Sequence, residues 1–230
     1  MTSNFDLHAE NILYTTSDDR ETRTILHINS LRIPQGSRVS IQGSSGAGKT
    51  TLIKVLSGIV QPRKGSVQWG KTNLCQVSQS SRDAWRGKYC GFLFQDFGLF
   101  EGLSAVENVL LPETFRSRIT AESKKRACDL LEQFEVPFNT RAACLSRGEM
   151  QRTALARLLM GQPKIIFADE PTASLDETNA LRVMNALESS AEALQATLLV
   201  ITHDTDAAQR FPAQARMNQG QWQWIVPVKN

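Results

Sequence analysis

The run GSSGAGKTTLIKVLSG, Gly43 to Gly58, decides the fold. It fits the pattern G-x-x-x-x-G-K-[ST] at Gly43, Gly48, Lys49 and Thr50, directly after the apolar run RVSIQG (38–43). That run has the character of a strand buried on both faces, as in a parallel sheet. Gly43, Gly46 and Gly48 let the backbone wrap closely with its N–H groups inward, which makes an anion nest. Lys49 is placed to reach the β- and γ-phosphates of a nucleotide, and the Thr50 hydroxyl to face Mg²⁺. Ser44, Ser45, Ala47 and Thr51 belong to the same cradle. The helix that follows buries Leu52, Ile53, Val55 and Leu56 and points its positive end at the phosphates. A glycine-rich turn without a ligand would need neither the strand before nor the helix after. The guanine-reading pattern N-K-x-D does not occur downstream, which favours adenine.

Two further apolar runs have the same character, KIIFAD (164–169) and TLLVITH (197–203). Ligands in open α/β sheets bind outside the carboxyl ends of the strands, so these ends are where chemistry is expected. Asp169 ends one run, and its carboxylate suits a hard cation held through water. Glu170 follows at the point where the chain turns, placed to orient or deprotonate an attacking water. His203 ends the other run. A lone histidine is usually structural, but a strand end beside two other site-bearing ends favours contact with the γ-phosphate and the water. His8 and His27 have no such setting.

The rest of the chain sets the organisation. Phe5 to Ile33 alternates apolar and polar residues with polar turns, which predicts an antiparallel sheet. GSVQWG and the terminal ARMNQGQWQWIV read as strand pairs with glycine turns. From about Phe97 to Gly161 helical patterns such as TAESKKRACDLLEQF dominate. The order suggests one α/β nucleotide-binding domain over residues 1–230, with a helical subdomain inserted at about 97–161.

Composition excludes several classes. A net charge of +3 is too small to argue for nucleic acid. The longest apolar pieces, such as TLLVIT, are far short of a bilayer span, and the N-terminus lacks a basic-then-apolar signal. The chain is therefore expected to remain in the cytoplasm. Cys75, Cys90, Cys128 and Cys144 show no zinc-type or C-x-x-C spacing, in keeping with reduced thiols.

LSRGEMQR, Leu145 to Arg152, has the form of a helix start. Ser146 is a good N-cap and Glu149 stands at the capping-box position. The free N–H groups of such a start also attract anions, so cap and nucleotide site are compatible readings.

Taken in order, the phosphate loop, FQD with Gln95, LSRGE, FADEP, SLD (174–176) and ITHD resemble the motifs of ATP-binding cassette (ABC) ATPases over nearly the whole chain. The resemblance implies a P-loop NTPase with a RecA-like parallel-sheet core, an N-terminal antiparallel β-subdomain and the inserted helical subdomain. It implies a homodimer, two copies head to tail, with two ATP-Mg²⁺ held between the phosphate loop of one and the signature of the other. Ser146, Gly148 and Glu149 would belong to that signature. Gln95 would touch Mg²⁺ and the water and link to a transmembrane permease-like subunit, which would hold the chain at the inner face of the cell membrane. Asp176 would communicate across the dimer, and Tyr14 is similar to the aromatic residue that stacks on adenine. GFLFQDFGLFEGLSAVENVLLP and ADEPTASLD look like the cassettes of lipoprotein release, macrolide export and cell division, the LolD, MacB and FtsE group, although PTASLD stands where that group commonly has PTGNLD. The competing class is a soluble cassette of DNA repair or translation. The long coiled-coil arm, the zinc insertion and the tandem second cassette usual there are missing.

Arg147 departs from the pattern, standing where the first signature glycine is usual. Glycine tolerates positive φ and arginine does so only at a cost. A working signature with altered tuning is expected if the position takes helical or extended angles.

Overall fold

In the computed structural model, residues 5–18, 21–116, 118–173 and 175–228 are described. The chain runs β1 (Leu7–Asp18), β2 (Glu21–Ile33), β3 (Arg38–Gln42), α1 (Lys49–Leu56), β4 (Lys64–Trp69), β5 (Thr72–Asn73), α2 (Gln79–Tyr89) and β6 (Cys90–Leu93). It continues through α3 (Ala105–Arg116), α4 (Ala121–Gln133), a 3₁₀ turn at Ala142–Cys144, α5 (Arg147–Met160), β7 (Ile165–Asp169) and α6 (Glu177–Ala193). The last elements are β8 (Thr197–Ile201), α7 (Thr205–Gln209), β9 (Ala213–Asn218) and β10 (Gln221–Val226).

Two sheets result. The first is antiparallel, in the order β2-β1-β4-β5. Its long hairpin sets Leu7 opposite Ile33 and is interrupted by a register shift at Tyr14/Thr15. The second has the order β10-β9-β3-β8-β7-β6, with every neighbouring pair parallel except the edge strand β10. The apolar runs read from the sequence are its central strands β3, β8 and β7. The third run ends as a strand at Ile201, so His203 lies just beyond it.

Alternation along these strands divides the core. Ile165, Phe167, Leu199 and Ile201 face the antiparallel sheet and α1, while Ile166, Ala168, Leu198 and Val200 face α5 and α6. Side chains buried on both faces explain why these runs are continuously apolar. Helix α1 buries Leu52, Ile53, Val55 and Leu56, as its pattern predicts. The Trp69 indole N–H donates to the Leu56 carbonyl at 2.8 Å and ties the antiparallel sheet to the end of that helix.

Helices α3, α4 and the 3₁₀ turn lie between β6 and β7 in the chain and enclose an apolar cluster of their own, built on Val109, Leu131 and Leu145. Helix α5 contributes to this cluster through Ala156 and Met160 and to the sheet core through Leu155 and Leu158. It is the element shared by the two parts.

The C-terminal hairpin is also shared. The Gly220 N–H donates to the Ala47 carbonyl at 3.1 Å, and the Gly220 carbonyl accepts from the His27 N–H at 2.9 Å. The turn between β9 and β10 is therefore wedged between the phosphate loop and β2. The four cysteines are free thiols, with Cys144 exposed.

Candidate active site

Strand β3 delivers the chain into the phosphate loop, and two glycines there are dictated by space. A Cβ on Gly43 would lie 2.4 Å from the Met217 carbonyl oxygen, so the loop can leave the sheet only beside a bare backbone. Gly48, at φ 96°, is the N-cap of α1, and a Cβ there would lie 2.9 Å from the Leu26 side chain and 3.0 Å from the Ile25 carbonyl. The amine of Lys49 donates to the carbonyls of Gly43 (2.7 Å) and Ser44 (3.0 Å), which stretches it along the loop.

Beside the loop, the Thr50 hydroxyl donates to Asp169 Oδ2 at 2.6 Å, joining the first turn of α1 to the end of β7. Burial pushes the Asp169 carboxyl above its ordinary range and the nearby Glu170 adds to this, against the opposing hydrogen bond from Thr50 and the charge of Lys49. A carboxylate that is costly when ionised, next to a hydroxyl, is a fitting site for a hard cation. Among the described residues there is no cluster of three or more His, Cys, Asp or Glu that could hold a metal alone. That suits Mg²⁺, which keeps several waters and takes substrate phosphate oxygens together with one or two protein ligands.

Glu170 has φ 51°, a left-handed conformation uncommon for a non-glycine residue, and its N–H donates to the Ile201 carbonyl at 3.0 Å. The turn aims its carboxylate at His203, whose Nδ1 lies 2.7 Å from Glu170 Oε2. The two side chains expected from the sequence at this site are thus in direct contact, and backbone strain of this kind is concentrated at functional sites.

These groups surround one open cavity of about 650 Å³, within the usual range of ligand sites. Gly43, Ser45, Gly46, Ala47, Gly48, Lys49, Thr50, Thr51, Gln95, Asp169, Glu170 and His203 all line it. Ser44 enters the site only through its carbonyl. Gln95 reaches the rim from the exposed loop after β6.

Three sequence-assigned groups lie elsewhere: Tyr14, the start of α5 and Asp176. Tyr14 is half-buried against the core at the β1 register shift and does not line the cavity. On that side Arg23 and Ile25 of β2 line it instead. Sequence reasoning missed both, because only tertiary packing brings β2 to the loop. Ser146, Gly148 and Glu149 stand at the start of α5, outside this cavity. Asp176 is the N-cap of α6, its Oδ1 accepting the Asn179 N–H at 2.9 Å. Ser174 of the SLD motif lies outside the described residues.

The start of α5 carries both halves of a capping box. Ser146 Oγ accepts from the Glu149 N–H at 3.3 Å, and Glu149 Oε2 accepts from the Ser146 N–H at 2.7 Å. The Ser146 hydroxyl, which also donates to Glu149 Oε2 at 2.7 Å, and then the Ser146 N–H hold the Glu149 carboxyl below its ordinary range. Arg147 is the first residue of the helix and is not among the residues with positive φ, so arginine fits there without backbone strain. Gln151, another residue missed from the sequence, is buried on α5 and donates to the Pro171 carbonyl, joining the helix to the turn after Glu170.

A phosphate loop, an Asp-Glu strand end with a paired histidine, and a second anion-ready helix start outside the cavity define a nucleotide-hydrolysing cassette. The chain belongs to the ABC transporter family, whose model matches residues 26–173, and it is an ATP-binding, ATP-hydrolysing subunit that uses Mg²⁺. Its particular relatives include the lipoprotein-releasing system ATP-binding protein LolD of Psychrobacter arcticus, 36% identical over 220 residues, which covers 94% of this chain and 97% of that one. LolD of Leptospira interrogans is 38% identical over 202 residues, 87% and 84% of the two chains. The dimeric structure of the cassette MJ0796, in a post-hydrolysis state bound to ADP and Pi, superposes with a TM-score of 0.88 at 31% identity, covering 96% of this chain and all of that one.

Proposed function

We propose that this chain works as a head-to-tail homodimer that hydrolyses ATP at two shared sites and drives a transmembrane subunit at the inner face of the cell membrane. The observation that carries this reading is the division of the site. Phosphate loop, Thr50, Asp169, Gln95, Glu170 and His203 share one cavity, while the anion-ready start of α5 does not line it. A second copy can bring its Ser146 and Gly148 to the open side, and the MJ0796 cassette is dimeric.

Within each site Lys49 and the loop N–H groups hold the phosphates. Thr50 and Asp169 would hold Mg²⁺, with Gln95 beside them, and the bound ion would supply charge neutralisation at the phosphates. Glu170 accepts the proton of the attacking water, and His203 fixes the carboxylate and contacts the γ-phosphate. Arg23 and Ile25 line the cavity on the β2 side, so adenine is expected against them. Asp176 caps α6 at the surface and is free to act across the dimer only from that position.

The relation to LolD supports lipoprotein release as the process served. No described helix is long and apolar enough to cross a membrane, and a transmembrane subunit is the partner this reading calls for. Glu170→Gln is expected to bind ATP, lose turnover and run as a dimer in ATP by size exclusion with light scattering. Normal turnover in that variant would overturn the assignment of the base, and a monomer in ATP would overturn the shared site. Stimulation of the ATPase on reconstitution with a LolD-type membrane partner, and absence of stimulation with an importer permease, is the expected result for the narrower reading.

A further inference from the structure

The arginine that departs from the signature pattern has a partner within its own chain. The Arg147 guanidinium carbon lies 5.4 Å from the centre of the Phe97 ring, within range of a cation–π contact. Phe97 is buried, yet it has φ 60°, and Gly98 after it has φ 53°. Two successive left-handed residues make a sharp turn, closed by Phe97 N–H to the Phe94 carbonyl (3.0 Å) and Gly98 N–H to the Asp96 carbonyl (2.7 Å). Gln95 is inside this turn. Further along α5, Arg157 donates to the Phe97 and Gly98 carbonyls, both at 2.6 Å. One helix therefore holds the turn by its backbone with one arginine and by its aromatic ring with another.

We infer that Arg147 is a positioning residue for Gln95: stacked on Phe97, it links the first turn of the signature helix to the loop that brings Gln95 to the cavity. A glycine at this position has no side chain to make the link. A strained turn persists only where its surroundings over-determine it, and Arg147 is one of the groups that do so here. The contact is exposed on the Arg147 side and joins two elements that belong to different ATP sites once the chains pair head to tail. Movement of the signature toward a partner's phosphate would then be felt at Gln95 of its own chain. The inference rests on the reading of α5 as signature and of Gln95 as a metal- and water-facing group.

The test is a set of variants, Arg147→Ala, Arg147→Lys, Phe97→Leu and the Arg147→Ala/Phe97→Leu pair, with Gln95→Ala as reference. The Mg²⁺ concentration for half-maximal ATP turnover is expected to rise roughly two- to five-fold in Arg147→Ala and in Phe97→Leu, the size of an exposed cation–π contact. The pair should be no worse than either alone, and lysine should restore most of the effect, since an ammonium also stacks on a ring. Binding of a fluorescent ATP analogue without Mg²⁺ should not change. Amide exchange over residues 94–100 should speed up in Arg147→Ala, a readout that remains if Phe97→Leu fails to fold. Unchanged exchange with weakened ATP-driven dimerisation would overturn the inference and make Arg147 a direct contact to the partner's phosphate. Additive effects in the pair would also overturn it. If Gln95→Ala leaves the Mg²⁺ dependence unaltered, the reading of Gln95 fails, while the exchange measurement still decides whether the link exists.

Discussion

Asp169 shows how a single residue can be kept against its own stability. Burial raises its carboxyl above the ordinary range, so the folded chain binds that proton more tightly than the unfolded one. The stabilising side of the linkage is then at low pH, and its contribution falls as pH rises from the unfolded value through the raised folded one. Whenever it is ionised, the buried carboxylate is a cost that a metal ion would relieve. Asp169→Asn should therefore raise the melting temperature of nucleotide-free protein by a few degrees while abolishing Mg²⁺-dependent hydrolysis. A lower melting temperature would show that the Thr50 hydrogen bond outweighs the desolvation. Lys49→Ala should cripple nucleotide binding or turnover, read as analogue affinity and phosphate release. His203→Ala should weaken binding far less than it slows hydrolysis, which should fall by about two orders of magnitude, the usual contribution of a group that serves a general base. Most of these residues were legible because motif spacing and strand ends point to them. The contact of His203 with Glu170 was not, since it depends on a left-handed turn at Glu170 that no spacing reveals.

At the scale of elements, α5 gives the clearest case of local signals agreeing with tertiary use. Its capping box was visible as Ser146 and Glu149, and both halves form. Glu149→Ala should destabilise the chain by about 0.5–1 kcal/mol in urea unfolding at neutral pH. The Glu149 carboxyl is held low by its bonds to Ser146, so its stabilisation is present above the ordinary carboxylate range and lost as pH falls through the lowered value. The gap between variant and parent should close on acidification; a gap independent of pH would show that the charge plays no part. Strands β3, β7 and β8 were legible because burial on both faces makes them continuously apolar. Strand β6 was not, having four residues, one of them Gly91, packed so closely on Leu158 and Pro163 that a side chain would not fit. Helix α2 was missed because only Arg82 and Trp85 of its residues are buried, which leaves no apolar stripe to read. β9 and β10 were read as a hairpin, but that β9 runs parallel beside β3 is a matter of long-range pairing, which no local pattern encodes.

Across the whole molecule, the cassette depends on contacts between segments far apart in the chain. Helix α5 joins the core of the sheet to that of the inserted helices, and the buried Gln151 ties it to the turn after Glu170. Gln151→Ala should therefore slow turnover with little change in ATP affinity, checked by kcat against analogue binding, because the nucleotide's own cavity is left whole. The phosphate loop has the longest such dependence. Its carbonyl at Ala47 is met by Gly220, and the space beside Gly43 is bounded by Met217. On a ribosome adding about 5–20 residues per second, roughly ten to thirty seconds separate synthesis of the loop from arrival of the turn that backs it. During that interval the nucleotide motif is present without the turn that backs it, so the loop is complete only once the β9–β10 hairpin has been made.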